Sequence, residues 1–302
     1  MLMRNIKCRI ATIIPARNEE KFIGETLSAL LNQDIDNKII VINDGSEDKT
    51  KEVVNSFSNI DLINIDNRGF DAHGTPNLAN VINRGLVKLL PDVIYDYIMI
   101  LGSDHILPSN YIKNIIDYMD QNKDIAICSG QIKGEKSKVP RGSGRIVRSD
   151  FWKTIGLQYP LKFGFETYLL IKAQQIGYKV NVLNDLISLT SRPTRKSYKK
   201  ETYISYGKSL KALGYIRMYS AGRIGLLSLK NPKGAIYMLQ GYMSNDIDLY
   251  EEDLRRFLRY IQYIKLKQYI KSLIPNLRIT IYLSFSIKNI FWCRKIYRKS
   301  QS

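Results

Sequence analysis

The 302-residue sequence predicts an α/β fold: a Rossmann-like, mostly parallel sheet with helices on both faces, followed by a basic, mainly helical C-terminal extension. Three observations predict it. Short β-branched runs alternate with segments of helical periodicity over the first 190 residues. The runs are apolar on both faces, as buried parallel strands are. Beyond residue 190 the periodicity is helical and the surface is basic.

The first part of the predicted sheet consists of strand-loop-helix units. A strand over residues 10–14 is stopped by Pro15, and acidic Glu19 and Glu20 lie where the start of the next helix favours negative charge. A second strand over residues 38–42, a helix over 48–57 and a third strand over 60–65 follow. Strands and helices that alternate at this spacing predict parallel strands joined by crossover helices.

The same alternation continues to about residue 190. We expect a helix over 77–90, a strand over 97–101, a helix over 110–119 and a strand over 125–128. Residues 133–144 are rich in Gly, Lys and Ser and predict a flexible loop. Helices over 149–156 and 166–176 and a strand over 179–183 complete a domain predicted to span residues 1–190. The extension over 191–302 is predicted to contain short helices and one longer helix over 249–273.

Positive charge is concentrated in the extension. Residues 1–190 hold 23 Lys and Arg against 22 Asp and Glu, whereas residues 191–302 hold 23 against 6. A block with this excess of positive charge attracts polyanions. Within it, basic residues alternate with aromatic residues most clearly over 277–299. We therefore expect this region to bind an anionic membrane surface. A helical subdomain with a basic solvent face is the alternative, and no nucleic-acid partner is expected because no known module is visible.

Cysteine usage and hydropathy favour a cytoplasmic protein. Cys8, Cys128 and Cys293 lack the spacing of a disulfide framework or a zinc site. The N-terminus has no apolar segment of signal-peptide length, and no apolar stretch near the end reaches the roughly 18–20 residues that span a bilayer. We expect a cytoplasmic protein, peripheral on the cytoplasmic face of the membrane.

Ligands of open parallel sheets bind at the carboxyl ends of the strands, so the loops after residues 14, 42 and 101 are the candidate site. The second loop contains Asp44, whose carboxylate can accept hydrogen bonds from a ribose or a base edge. Gly45 beside it allows close backbone approach. An Asx turn in which Asp44 caps the next helix is the alternative for this loop.

Four segments follow one another over about residues 10–183. They are residues 13–19 (IIPARNE), residues 41–46 (VINDGS), Asn67-Arg68-Gly69 with Asn77, and residues 100–104 (ILGSD) with Pro108. In this order they resemble the family 2 glycosyltransferases, which have the GT-A fold. The first segment is similar to the first-strand signature of the family, and the second follows at the expected distance. The third is similar to the loop and helix before the metal-site strand, and the fourth lies where the family has its DXD motif.

The resemblance implies inverting transfer of a sugar from a nucleotide diphosphate donor to an acceptor hydroxyl or lipid phosphate. The acceptor would be lipid-linked or a glycan. The QxxRW signature of processive polysaccharide synthases is absent, which favours transfer of one sugar at a time. The donor-binding residues implied by the matching motifs are Pro15, Ala16, Glu19, Asp44, Ser103 and Asp104.

The resemblance also implies a divalent cation, Mn²⁺ or Mg²⁺, that neutralises the charge developing on the leaving diphosphate. Asp104 would be its ligand. Gly102 replaces the first Asp of the DXD motif, so diphosphate and water would supply other ligands. His105 is a second candidate ligand, although a histidine after a strand is commonly a hydrogen-bonded loop residue.

Glu166 inherits the role of the general base that deprotonates the acceptor. The family places an acidic motif at the start of a helix ending in Gly-Tyr, and Glu166 is the sole acid in the corresponding segment, which ends at Gly177-Tyr178. A helix N-terminal Glu stabilised by the helix dipole is the alternative.

Three arginines precede an aromatic pair in a part of the chain from which the family often draws diphosphate and acceptor contacts. Arg141, Arg145 and Arg148 can grip diphosphate oxygens or can form a solvated basic face. Trp152 can stack on a sugar or belong to the core.

Two other functions are alternatives to sugar transfer. A sugar-phosphate nucleotidyltransferase would carry a Gly-rich, Arg-containing phosphate loop directly after its first strand, and residues 15–18 (PARN) lack one. A catalytically silent nucleotide-sugar-binding protein is suggested by Gly102 and by the single acid at Glu166.

Overall fold

The computed structural model describes residues 9–67, 69, 74–89, 95–192 and 199–273. The interleaved segment over 277–299 and Arg68 of the third motif lie outside these residues. The strands are β1 (Ile10–Ala16), β2 (Asn37–Asp44), β3 (Ile60–Ile65), β4 (Tyr97–Ile100), β5 (His105–Ile106), β6 (Ile125–Ile132), β7 (Arg145–Arg148) and β8 (Lys179–Thr190). The helices are α1 (Ile23–Leu31), α2 (Thr50–Asn55), α3 (Pro76–Lys88), α4 (Tyr111–Gln121), α5 (Ser149–Thr154), α6 (Phe165–Gln175), α7 (Lys200–Ala212), α8 (Arg217–Ser228), α9 (Pro232–Met243) and α10 (Glu252–Leu273).

The strands form a sheet in the order β3-β2-β1-β4-β7-β6-β8-β5. β1, β2, β3 and β4 are parallel to one another, and β6 is parallel to β8. β7 runs antiparallel between β4 and β6, and β5 pairs antiparallel with the end of β8. The α/β prediction with a mostly parallel sheet is therefore confirmed.

Alternation along β1 explains why helices cover both faces of the sheet. Ile10 and Ile14 point to one face and pack in a buried cluster with residues of α1 and α4. Ile13 points to the other face, where a Cβ added to Gly85 of α3 would lie 2.7 Å from its Cγ2. The glycine lets α3 approach the sheet closely.

Two differences from the predicted elements have simple physical causes. β1 continues through Pro15 to Ala16, because β4 pairs only as far as Ile13 and leaves Pro15 with one strand neighbour. β7 was not predicted, because Arg145 and Arg148 at its ends resemble the charged loop before them.

The described residues divide into two compact units. The first contains the sheet and ends with residues 179–192, whereas residues 74–76, 161–178 and 199–273 form the second. This grouping differs from the single boundary predicted near residue 190. The difference arises because α6 joins the C-terminal helices: Tyr168 of α6 stacks on Tyr250 with ring centroids 5.0 Å apart, in a buried cluster with α10.

Within the second unit, α7 and α9 cross with their backbones in contact. A Cβ added to Gly207 would lie 1.9 Å from the carbonyl oxygen of Met238, and one added to Gly241 would lie 2.0 Å from that of Ile204. Among the helices described, none has the length and apolar composition that crossing a bilayer requires.

Candidate donor site at the carboxyl edge of the sheet

The register of the parallel strands brings three predicted loops to one edge of the first unit. Ala16 at the end of β1 pairs with Asn43, one residue before Asp44. Ile13 pairs with Ile100 at the end of β4, and Leu101 donates its N–H to the carbonyl oxygen of Ile13 at 3.0 Å. The loops after β1, β2 and β4 therefore leave the sheet side by side, as the sequence predicts.

The loop after β2 is held rigidly by the loop after β1. Asp44 is 3% exposed, and its carbonyl oxygen accepts from Arg17 Nη1 at 2.6 Å. Arg17 Nη2 donates to Asn67 Oδ1 at 2.8 Å. Gly45 has φ of 63°, and a Cβ there would lie 2.4 Å from Asn67 Cα, so only glycine fits. Arg17 was not predicted as a site residue, although it lies inside the first-strand motif.

Glu19, Asp104 and a further arginine form an ion-pair cluster at this edge. Arg192 Nη2 lies 2.8 Å from Glu19 Oε1, and Arg192 Nε lies 2.9 Å from Asp104 Oδ2. Ser103 is buried and lowers the pKa of Glu19, which places it beside this carboxyl group. The structure thus brings together three predicted donor-site residues and adds Arg192, which sequence reasoning missed.

Burial raises the pKa of Glu19 above its usual range, against the lowering effect of Arg192. Its Oε2 atom is buried and has no hydrogen-bond partner, whereas its backbone N–H donates to Thr50 Oγ1 at 2.7 Å. Glu19 is therefore fixed in place by its backbone and by Oε1, whereas Oε2 has neither solvent exposure nor a hydrogen-bond partner.

His105 is part of a buried chain of hydrogen bonds. Ser188 donates its hydroxyl to the carbonyl oxygen of Gln131 at 3.0 Å, so it can only accept from His105 Nε2 at 2.7 Å. His105 Nδ1 must then accept from Ser143 Oγ at 2.6 Å, and Ser143 in turn accepts from the N–H of Gly102 at 2.7 Å. Both ring nitrogens are engaged, which argues against the metal-ligand role predicted for His105.

The same burial keeps the imidazole neutral. His105 is 1% exposed, and burial lowers its pKa to about 4. The ring therefore serves as a neutral link between the loop after β4 and strand β8.

Of the three predicted arginines, Arg141 and Arg145 lie toward the carboxyl end of β4. Arg145 pairs in register with Ile100, is 2% exposed and donates Nε to the carbonyl oxygen of Arg141 at 2.7 Å, which makes it a structural residue of the preceding loop. Arg141 forms an ion pair with Glu135 at 3.1 Å.

Arg148 and Trp152 have structural positions, contrary to the predicted contacts with diphosphate or acceptor. Because β7 is antiparallel to β4, Arg148 pairs with Tyr97 at the opposite edge of the sheet, and its guanidinium lies over the Tyr97 ring at 5.3 Å. It donates to the carbonyl oxygen of Ile125 at 2.8 Å. Trp152 is fully buried and packs edge-on against Tyr159, so it cannot stack on a sugar.

Glu166 lies in the first turn of α6, in the second unit, and is exposed. Its helix begins after Gly164, which has φ of 81°. A Cβ at Gly164 would lie 2.7 Å from Leu213 Cδ1, so the start of α6 is packed closely on the helices that follow.

The residues at the donor edge do not fit a tightly held divalent cation as they stand. Asp104 is the only carboxylate of its motif, a guanidinium separates it from Glu19, and His105 is hydrogen-bonded on both sides. Within the described residues, no group of three or more His, Cys, Asp or Glu side chains could hold a metal ion.

Comparison with known proteins supports the predicted resemblance. The profile of the family described as Glycosyl transferase family 2 matches residues 11–181. The O-antigen chain rhamnosyltransferase RfbN of Salmonella typhimurium is 35% identical over 126 residues, which are 41% of this chain and 37% of that protein. The chain spans less than half the length of the first curated relatives that it matches.

Solved structures show the same fold. The mannosyltransferase PcManGT from Pyrobaculum calidifontis, in complex with GDP-Man and Mn²⁺, gives a TM-score of 0.55 at 15% identity, over 89% of this chain and 88% of that one. S. aureus TarS 1-349 in complex with UDP-GlcNAc gives 0.54 at 16% identity, over 91% of this chain and 95% of that one. These likenesses confirm the predicted GT-A fold.

Proposed function

The chain belongs to glycosyl transferase family 2, and we propose that it transfers a single sugar, with inversion, from a nucleotide diphosphate sugar to an acceptor hydroxyl or lipid phosphate. The observation that carries this proposal is the convergence of Glu19, Asp44 and Asp104 at one edge of the sheet. The carboxyl edge of such a sheet is where nucleotide ligands bind.

The donor is a nucleotide diphosphate sugar with its nucleoside near Pro15, Ala16 and Asp44. The rigid loop around Asp44 supports this assignment, because a preorganised carboxylate recognises a ribose or base without an ordering cost. The solved neighbours contain GDP-Man and UDP-GlcNAc, which have the same diphosphate but different bases. The diphosphate would lie near Ser103 and Asp104. Arg141, in the loop before β7, would contact the diphosphate or the acceptor.

Thermal stability in the presence of UDP-, GDP- and dTDP-sugars tests this proposal. A ligand at 100 times its Kd stabilises the native state by about 2.7 kcal/mol, so one donor should raise the Tm by several degrees. Asp44→Asn should remove the shift. Asp150→Asn, which changes a carboxylate that is 84% exposed, is the control and should keep it. If no donor raises the Tm, or if Asp44→Asn responds like the control, the donor site lies elsewhere.

Glu166 is the proposed base for the acceptor. Glu166 lies in the first turn of α6 and is exposed, so an acceptor can reach its carboxylate from solvent. The role of general base comes from the resemblance of this segment, which ends at Gly177-Tyr178, to the acidic motif of the family. In the reaction, the anomeric carbon loses the diphosphate oxygen and gains the acceptor oxygen, whose proton passes to Glu166. The electron pair of the broken bond stays on the diphosphate.

The acceptor is proposed to be presented at a membrane, on the cytoplasmic face. Large apolar side chains that are 47–81% exposed recur along one side of α8 and its end (Met218, Leu226, Leu229) and of α9 (Ile236, Leu239, Met243). Residues 217–243 contain four basic and no acidic side chains. An apolar face rimmed by positive charge is typical of surfaces that insert into an anionic headgroup layer.

A further inference from the structure

Arg192 lies between the two carboxylates that a cation-dependent donor site would use. Its guanidinium binds Glu19 Oε1 at 2.8 Å and Asp104 Oδ2 at 2.9 Å, and it lies over the ring of Phe22 at 4.9 Å. The side chain is 45% exposed. These two bonds use two of the five N–H groups of a guanidinium. The charge is therefore held in place and is within reach of a ligand.

The fold, not chance side-chain packing, brings Arg192 to Asp104. β5 pairs with the end of β8 so that His105 lies opposite Thr190. The N–H of Ser191 then donates to the carbonyl oxygen of Asp104 at 2.9 Å, and Ser191 Oγ donates to Glu25 Oε2 at 3.1 Å. The backbone of Asp104 and that of the residue before Arg192 are thus tied together.

Because residue 102 is glycine, the motif lacks the first carboxylate of a DXD motif, which would favour binding of a cation over binding of this arginine. The N–H of Gly102 donates to Ser143 Oγ, and a Cβ added there would lie 3.1 Å from that oxygen and 3.3 Å from Asp104 Oδ1. The cluster of Glu19, Asp104 and Arg192 carries at most one net negative charge. A divalent ion placed beside Asp104 would be repelled by the guanidinium.

We propose that Arg192 takes the place of the divalent cation in this chain and binds the diphosphate of the donor directly. This inference rests on the proposed function. Arginine grips phosphate oxygens through paired N–H groups and stays charged at every physiological pH. As the bond from the anomeric carbon to the diphosphate oxygen breaks, Arg192 stabilises the charge that remains on the diphosphate. Asp104 and Glu19 orient the guanidinium for this role.

The proposal predicts that a divalent metal ion binds at this position once Arg192 is replaced. Without Arg192, the two carboxylates would face each other with no counter-charge and would attract a divalent ion. We therefore expect Arg192→Gln to bind Mn²⁺ at least tenfold more tightly than the unaltered chain, as measured by electron paramagnetic resonance of Mn²⁺ with the full chain. Arg256→Gln is the control, since Arg256 is 42% exposed and pairs with Glu252 in α10. Arg256→Gln should bind Mn²⁺ with the same affinity as the unaltered chain.

Nucleotide binding supplies a second measurement that does not depend on turnover. In calorimetric titrations with UDP, GDP and dTDP, the unaltered chain should bind one nucleotide with similar affinity in EDTA and in Mn²⁺. Arg192→Gln should lose at least about tenfold in affinity in EDTA and recover part of it in Mn²⁺. Arg192→Lys keeps the charge without the paired N–H geometry. Its affinity for the nucleotide in EDTA should lie between that of the unaltered chain and that of Arg192→Gln.

The outcomes separate this inference from the proposed function. If the unaltered chain binds a nucleotide only with Mn²⁺, or if Arg192→Gln binds it in EDTA as well as the unaltered chain does, Arg192 does not replace the cation and the inference fails while the proposed function stands. If none of the three nucleotides binds with or without Mn²⁺, the proposed function fails, and the inference fails with it.

Discussion

At the scale of single residues, the side chains of the donor edge are held in position by ion pairs to its carboxylates and by hydrogen bonds to its histidine. Asp104 and Glu19 are held by one guanidinium, and His105 is hydrogen-bonded to two serine hydroxyls and kept neutral by burial. Because each serine hydroxyl has one proton, the chain of hydrogen bonds has one consistent direction, from Gly102 through to Gln131. The loop after β4 is thereby fixed without a metal ion.

Glu166 provides the first prediction at this scale. Glu166→Gln keeps the size and helix propensity of the side chain but cannot accept a proton, so sugar transfer should fall by about 10²–10⁴-fold while donor affinity persists. Glu201→Gln, in the first turn of α7, is the matched control and should transfer normally. Steady-state transfer rates and donor titrations measure the two effects separately.

Loss of donor affinity in Glu166→Gln, with transfer per bound donor unchanged, would assign Glu166 to donor binding. Equal transfer by both glutamine variants would remove it from the reaction altogether. No transfer by the unaltered chain, together with donor hydrolysis at the background rate, would favour the silent binding protein.

The position of a residue in the fold could be predicted from the sequence where a strand end alone determines it. Asp44 is the last residue of β2, and Glu19 and Asp104 lie in the loops after β1 and β4, so parallel pairing brings the three residues to one edge of the sheet. Arg192 was not predicted because its place beside Asp104 depends on the two-residue pairing of β5 with β8, in which His105 and Thr190 are 85 residues apart in the sequence and which no local pattern signals. Arg148 was placed wrongly because the direction of β7 decides which edge it reaches.

At the scale of whole elements, the second unit depends on the crossing of α7 and α9. Gly207 and Gly241 let each backbone touch the other, and Asn231 caps α9 by accepting from the N–H of Gly234 at 2.8 Å. Glycine ordinarily weakens a helix, but these two glycines lie inside α7 and α9 and form the contact. Periodicity predicted the helices and could not predict which of their faces would meet.

Gly241→Ala should strongly destabilise this unit. Its new Cβ would lie 2.0 Å from the carbonyl oxygen of Ile204, so the helices must separate, at a cost of about 3 kcal/mol or more. Gly225→Ala in α8 is the control, because no heavy atom lies within 4 Å of its added Cβ apart from its chain neighbours and the backbone of its own helix. That variant should be neutral or more stable by about 0.5–1 kcal/mol, since alanine is the better helix former.

Chemical denaturation followed by circular dichroism compares the two alanine variants. Similar unfolding midpoints for both would mean that the close crossing of α7 and α9 does not hold in solution.

At the scale of the whole molecule, charge and exposed apolar area are distributed unequally. Residues 1–190 are nearly neutral, and the exposed apolar faces of α8 and α9 occur in a segment with no acidic residue. A basic residue near an anionic surface contributes about 1 kcal/mol, and salt screens this contribution over about 8–10 Å. Apolar insertion, by contrast, is not weakened by this screening.

Vesicle flotation tests the membrane surface. The full chain should float with phosphatidylglycerol vesicles at low salt and less with neutral vesicles. Leu226→Ser with Leu229→Ser should lower the partition coefficient by about tenfold or more, because each buried leucine contributes roughly 1.5–3 kcal/mol. Leu161→Ser, at a leucine of the second unit that is 58% exposed, is the control.

Flotation of the double serine variant at the level of the Leu161→Ser control would show that α8 and its end do not insert. Equal recovery of the full chain with anionic and neutral vesicles would remove the charge-based part of the proposal.

The crossing of α7 and α9 also limits how this sequence can vary. At most buried positions, a larger side chain can be accommodated by a smaller one in the neighbour that it strikes. At Gly207 and Gly241 the atoms struck are the carbonyl oxygens of Met238 and Ile204, which every amino acid carries. A second substitution at either neighbour therefore has nothing to remove. A genetic screen for suppressors of Gly241→Ala should return reversion to glycine at position 241 and no compensating change at position 204.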